Sequence, residues 1–412
     1  MDIDLDDPTL FLRADVVDDP RVFHDQLRRE APVWRLPGQE AYVVSAPALI
    51  REAVGRPADF SSNLVGLLYD DGNGCPAKYP LAPFGDPIHV LSTADPPLHT
   101  RHRKLLQSHL TPMAVAQFEP AFRPIVEQYL DPIVASGGGD FVVAFGDPVP
   151  AAVISTVVGL PLDDVPRVVR MVSNTGRLLD GVTDHAGMQR AGNAAMELGL
   201  YVYEHLHAAL ARPAAERSGL LAVFADAIEA GEASVGDVTA MLVVLVSAGS
   251  ETTSSLLATA VETLARNPEL QQRLREKTEQ IPFAVEDFLR DDGPFQFHYR
   301  WTTTDTELGG VEIPAGSMLL LMWAAANRPE PGTTHQPHDG SMPPQHYAFG
   351  KGMHFCIGAP VARLEARLAL ERLLARTASF TLDPDRPMTR RPSIFIRRHA
   401  GLPIIVESAV PR

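Results

Sequence analysis

From Asp237 to Arg266 the chain runs thirty residues without a proline, although it carries 36 prolines in 412 residues. Elsewhere those prolines cut a largely helical periodicity into short pieces, because each removes a backbone donor and clashes with the turn before it. The uninterrupted stretch is therefore the natural axis of the fold. It stops at Asn267-Pro268, where the residue before proline is pushed out of helical conformation. Its most apolar part, Met241 to Val246, is much shorter than the roughly 20 residues that a bilayer span takes, and Ser247, Glu251 and Thr252 follow at once. A long helix through a protein core is expected, in a fold that is mainly α with small β-sheets (α+β).

Strands are a minority. The segment "VWRLPGQEAYVVSAPALIREAV" reads as short strands followed by a helix, and "DTELGGVEIPAGSMLLLMWAAANR" as a hairpin with Gly309 and Gly310 at its turn. At 45% hydrophobic and 21% charged residues, the chain has the material for a large core. A formal net charge of −15 argues against general affinity for nucleic acid or anionic membranes. The acidic opening "MDIDLDDPTLF" lacks the basic, apolar and small-residue zones of a secretory signal, which points to the cytoplasm. Cys75 and Cys356 are the only cysteines, so a disulfide framework is not expected and a cysteine-bound metal would take one thiolate.

Cys356 has distinctive surroundings. In "FGKGMHFCIG", Gly350 and Gly352 permit positive φ or close backbone approach, Gly358 follows the cysteine by two residues, and a strongly helical segment begins at Pro360. A sulfur on a tight loop near the positive end of a helix is favoured as thiolate, the form needed for a metal ligand or a nucleophile. Nucleophilic catalysis would also need a base and an oxyanion site, for which the adjacent His354 is the sole local candidate. The plainest alternative is a small buried cysteine.

This loop resembles the haem-ligand loop of the cytochrome P450 superfamily, an aromatic-Gly-x-Gly-x-His/Arg-x-Cys-x-Gly pattern met by Phe349, Gly350, Gly352, His354, Cys356 and Gly358. The resemblance implies that Cys356 is the proximal thiolate of a haem b (iron protoporphyrin IX), with Phe349 packed near the sulfur and His354 near a propionate. Two further segments agree. "SAGSETTSS" is similar to the family's Ala-Gly-x-acid-Thr segment on its distal helix. By resemblance Ala248 and Gly249 let the flat cofactor approach, Thr252 hydrogen-bonds to dioxygen or its water, and Glu251 relays protons. Taken alone, the same pair would be a solvated face or a local capping arrangement. "ADPPLHTRHRKLL" resembles the segment that supplies propionate partners, here His99 and Arg103, four residues apart on one helix face. Arg300 resembles a further propionate-binding arginine.

Two departures stand out. The family's Glu-x-x-Arg pair appears as Asp287 and Arg290, with Glu286 at i−4. The connecting loop 329–348 has no lysine or arginine, leaving His335, His338 or His346 as substitutes for the usual third member. Those histidines with Asp339 match no specific metal-site spacing.

The similarity covers nearly the whole chain. It implies a single triangular domain over residues 1–412, with about 1–20 as an N-terminal extension and the haem between the long helix and the helix after Cys356. It also implies a distal substrate pocket formed by the stretch from about Leu64 to Val90, Val244, Ala248, Phe295, Phe297 and Ile394. Their apolar character suits a hydrophobic or aromatic substrate. The implied activity is that of a monomeric monooxygenase using dioxygen, with electrons from a ferredoxin and its reductase. Arg101, Lys104, Lys351, Arg363 and Arg367 flank the thiolate side as a basic patch for an acidic partner.

Overall fold

The computed structural model describes residues 3–81, 87–329 and 344–409. The proline-free stretch forms a central helix from Val235 to Arg266, 32 residues and about 48 Å long at 1.5 Å per residue. Its start is set by a reciprocal capping box. Ser234 Oγ accepts the Asp237 N–H (3.0 Å) while the Asp237 carboxylate accepts the Ser234 N–H (3.4 Å). At the other end Asn267 leaves the helical region, and its side chain accepts the Leu270 N–H (3.0 Å) to cap the next helix, Pro268–Glu276.

The apolar character of this helix extends further than Met241–Val246. An 18-residue window reaches a mean hydropathy of 1.4, enough to cross a membrane by length and composition, but 56% of that window is buried inside the protein. The apolarity serves the core. Residues Ser250 to Val261 are almost all buried, whereas Val244, Ala248 and Thr252, four apart and on one face, remain partly or fully exposed.

The main core joins the central helix to the helices Glu119–Ala135, Pro148–Val158 and Ala359–Arg376. A second core lies against a five-stranded sheet in the order Val33–Arg35, Ala41–Val44, Met318–Leu321, His298–Thr302 and Phe60–Ser61. Only Ala41–Val44 and Met318–Leu321 run parallel. The His298–Thr302 strand sends Tyr299 and Trp301 into that core, so His298 and Arg300 share the opposite face. The predicted hairpin forms between Thr306–Leu308 and Val311–Ile313, with positive φ at both Gly309 (61°) and Gly310 (80°), the conformation that a two-residue turn needs at both positions. The helix after the first two strands spans Pro47–Gly55.

The N-terminal segment is more than an extension. Leu10, Phe11 and Val16 are buried, and the Phe11 ring lies 6.3 Å from those of Trp34 and Phe297.

Candidate functional site

The loop around Cys356 is held by its own backbone. Gly350 N–H donates to the Tyr347 carbonyl (2.8 Å) and Cys356 N–H to the Phe349 carbonyl (2.9 Å), closing a turn in which Gly350 and Gly352 have φ of 70° and 72°. Gly352 is needed for space as well, since a Cβ there would stand 2.3 Å from Val54 Cγ1. The helix Ala359–Arg376 follows immediately, with proline in its first turn. Burial pushes the Cys356 thiol up, opposed by the N–H groups of Gly358 and Ala359 and by the guanidiniums of Arg103 and Arg363. These donors and charges favour a sulfur anion bound to a cation.

Nearby, basic groups from three chain segments crowd together. His99 is buried on the helix Leu98–Gln107, and its ring lies 4.3 Å from that of His354. Arg103 stands one turn along. Burial pushes Arg300 down to about 10, with only Asp95 opposing. Burial, then Arg300, His99, His298 and Arg103, push His354 down to about 3. His354 Nε2 meets Ser62 Oγ at 2.9 Å, while His354 Nδ1 is buried with no partner among the described residues. Ser61 Oγ and Ser62 N–H both donate to Asp95. Concentrating so many cationic or donor groups beside one carboxylate is costly without an anionic ligand. The two carboxylates of a haem fit this cluster, and the sulfur fits its iron. His298, which the sequence reading passed over, belongs to the same group. Burial and Arg300 push it down to about 3, and its Nδ1 accepts the Trp323 indole N–H (2.7 Å).

On the central helix, Thr252 Oγ1 donates back to the Ala248 carbonyl (2.7 Å), leaving the hydroxyl oxygen as an acceptor on the open face. At Gly249 a Cβ would lie 3.0 Å from Ile154, so the glycine permits close packing of the helix Pro148–Val158. Glu251 is held firmly. Its Oε1 accepts from Arg391 Nη1 (2.9 Å) and Arg398 Nη1 (2.8 Å). Arg391 is also paired through Nε and Nη2 with Asp180 (2.9 and 3.1 Å), and Arg398 Nη2 donates to both oxygens of Asp147 (2.7 and 2.8 Å). The result is a buried chain Asp180–Arg391–Glu251–Arg398–Asp147, with Ser254 Oγ on its last carboxylate (2.5 Å). The signal for it lay in "RRPSIFIRR", whose paired arginines flank an apolar tip.

Among the pocket candidates, Val244 and Ala248 share the open face with Thr252. Ile394 packs against Gly181, where a Cβ would be 2.3 Å from its Cδ1. Phe295 is half-buried between two cores. Phe297 is a correction: it is 0% exposed, its ring 5.1 Å from Tyr299 and 5.3 Å from Phe395, so it is core. Part of the Leu64–Val90 stretch, and His335, His338 and Asp339, lie outside the described residues.

The Glu-x-x-Arg departure resolves into two pairings. Arg290 Nη2 meets Asp287 (2.9 Å) and Asp291 (2.8 Å). Glu286 instead takes Arg363 through both arms (2.6 and 2.8 Å) and His346 Nε2 (3.0 Å). Of the three candidate histidines, His346 thus reaches the neighbouring carboxylate.

Comparison with known proteins agrees with this geometry. The cytochrome P450 family model matches residues 23–399. The chain is 35% identical to cytochrome P450 144 of Mycobacterium tuberculosis over 405 residues, covering 97% of this chain and 92% of that one. Among solved structures, CYP108D1 from Novosphingobium aromaticivorans superposes with a TM-score of 0.82 at 28% identity, covering 98% and 97% of the two chains. The P450 enzyme CxnD, for C–S bond formation in chuangxinmycin biosynthesis, does so with 0.82 at 28%, covering 96% of each. With a family model spanning most of the chain and a thiolate loop beside a cation cluster fit for haem carboxylates, the protein belongs to the cytochrome P450 family of haem-thiolate monooxygenases.

Proposed function

We propose that this enzyme hydroxylates a small hydrophobic or aromatic molecule, in secondary metabolism or catabolism, as a cytoplasmic monomer that uses haem b and a separate ferredoxin with its reductase. The observation that carries the reading is the apolar stripe Val244–Ala248 ending at the Thr252 hydroxyl on the open face of the central helix. It sets an apolar wall beside one polar group, the composition of a site that positions an apolar molecule next to a reacting oxygen.

Cys356 would bind the haem iron, and His99, Arg103, Arg300 and His354 the haem carboxylates, with Phe349, Gly350 and Gly358 shaping the loop. The haem, once bound, supplies the centre at which dioxygen is activated. Inserting one oxygen atom into a C–H bond and releasing the other as water consumes two electrons and two protons. The protein must deliver those protons. Thr252, fixed by the Ala248 carbonyl, offers its oxygen as the acceptor for the O–H of a water in the site. Glu251, held in place by Arg391 and Arg398, helps from behind to relay protons drawn from water.

On the thiolate side, Arg101 and Lys104 are exposed and Lys351 is half-buried. Arg363 is engaged by Glu286, and Arg367 by Glu119 (2.6 Å) and Glu371 (2.9 Å). The charges offered to an acidic ferredoxin are therefore chiefly the first three. Reversal of charge at Arg101 and Lys104 is expected to slow reduction and flatten its salt dependence.

A coupling reaction is the second reading, favoured by the similarity to CxnD and its C–S bond formation. A peroxide-driven enzyme has less need of the Glu251–Thr252 pair, and a haem protein that only binds a ligand has none. The test is a ferric spin-state titration with a panel of apolar, aromatic and thiol-bearing compounds, followed by product analysis under dioxygen with ferredoxin and reductase. An oxygenated product from an apolar compound supports hydroxylation. A shift only with thiol-bearing compounds and a new C–S bond in the product would replace it, and tight binding without oxygen-dependent product would refute both.

A further inference from the structure

A cavity of about 210 Å³ lies between the N-terminal segment and the "RRPSIFIRR" stretch near the C-terminus. None of the residues assigned to the haem or to the open face of the central helix lines it, and of the distal-pocket candidates only Ile394 does. Its apolar walls come from both sides, with Phe11, Val16, Val17 and Phe23 from the first and Ile394 and Ile396 from the second. Arg397 Nη1 donates to the Asp18 carbonyl (2.5 Å) and ties the two sides together.

Two buried polar side chains in the lining are unmatched. His24 is 3% exposed, and neither of its ring nitrogens has a hydrogen-bond partner among the described residues. Burial, then the Arg328 charge, push it down to about 3, so the ring is neutral, with one N–H to donate and one nitrogen to accept. Gln296 is 5% exposed; its amide nitrogen reaches the Gly293 carbonyl only at 3.4 Å, and its amide oxygen has no partner among the described residues. The charges in the lining are already answered. Arg390 pairs with Glu262 (2.7 Å), Arg397 with Asp292 (2.6 Å), Arg391 with Asp180 (2.9 Å) and Arg398 with Asp147 (2.7 Å), while Asp18 is exposed to solvent. An ion entering the cavity would lose its hydration without gaining a partner of its own. What fits is an uncharged, mostly apolar molecule with a hydroxyl, which donates and accepts as the imidazole and the amide require. An apolar cavity of about 150 Å³ takes up benzene, so one substituted ring matches the space.

We propose that this cavity is a second binding site, separate from the haem pocket, for a neutral one-ring molecule whose hydroxyl bonds to His24 and Gln296. The test is calorimetric titration of the holoenzyme with para-propylphenol and with propylbenzene, which lacks the hydroxyl, while a phenyl-substituted imidazole saturates the haem iron. The Soret band reports whether that imidazole stays bound. Wild type is compared with His24→Leu, which removes the polar anchor, and Val17→Trp, which fills the space. The expected result is that para-propylphenol binds without displacing the imidazole, and more tightly than propylbenzene. His24→Leu erases that preference, weakening para-propylphenol roughly 2- to 10-fold, and Val17→Trp abolishes binding of both compounds. Displacement of the imidazole would mean a single shared pocket, and no binding at all a cavity that holds water only. Either result, binding that survives Val17→Trp, or a hydroxyl preference that survives His24→Leu, would overturn the proposal. His24→Phe and Val17→Phe serve in the same roles should either variant fail to fold.

Discussion

Replacing Glu286 by glutamine removes a charge while keeping its shape, and the structure sets the size and pH dependence of the effect. Burial pushes the Glu286 carboxyl up, but hydrogen bonds from Arg363 and His346 outweigh it and hold the group at about 2 against an ordinary 4.5. A depression of that size corresponds to a ceiling of about 3 kcal/mol of stability. The Arg363 side chain is 39% exposed, so solvent screening reduces this to about 1–2 kcal/mol. Because the folded value lies below the unfolded one, the contribution is complete above about pH 4.5 and is lost as pH falls through about 2. Glu286→Gln should therefore unfold about 1–4 °C below wild type in scans at pH 7.5, and by the same amount at pH 5.5. By pH 3 roughly half or more of the gap should have closed. No gap at pH 7.5, or a gap that widens on acidification, would refute the assignment of Glu286 as the ionised partner of Arg363.

Thr252→Ala should retain haem and substrate binding but divert electrons from product to hydrogen peroxide, measured as peroxide formed per cofactor oxidised; fully coupled turnover would remove Thr252 from the proton path. Glu251→Gln leaves Arg391 with Asp180 and Arg398 with Asp147, so its turnover should fall roughly 10- to 100-fold or more while its unfolding midpoint changes little. A large stability loss with normal turnover would make Glu251 structural. Burial pushes the Glu365 carboxyl well above the usual range, and its Oε1 has no hydrogen-bond partner among the described residues. Glu365→Gln is therefore expected to cost less than about 1 kcal/mol at pH 7, as read by chemical denaturation, and a much greater loss would mean that an ionised, paired carboxylate had been removed.

What could be read from the sequence was what is written locally. The central helix is announced by the absence of proline, and its cap and stop are neighbours in sequence. The thiolate loop is equally local, since positive φ at Gly350 and Gly352 and the helix behind Cys356 follow from a ten-residue run. The basic cluster near Cys356 was half legible. His99 and Arg103 share a helix face, but His298 shows itself only when the strand places it on the same face as Arg300. Long-range charge pairing was hidden. Nothing local says that Glu251 meets Arg391 and Arg398, some 140 residues away along the chain. The choice of Glu286 over Asp287 as the partner of Arg363 likewise depends on how two helices rotate against each other. Phe297 misled because an apolar residue beside a pocket serves packing as readily as binding, and only neighbours such as Phe395 decide.

The most direct test of the central claim is the ferrous carbon monoxide difference spectrum of the purified protein, taken alongside Cys356→Ser. The account predicts a thiolate-type Soret band in the wild type and its loss in the variant. A band typical of histidine or neutral-thiol ligation in the wild type, or the same band in both proteins, would contradict it.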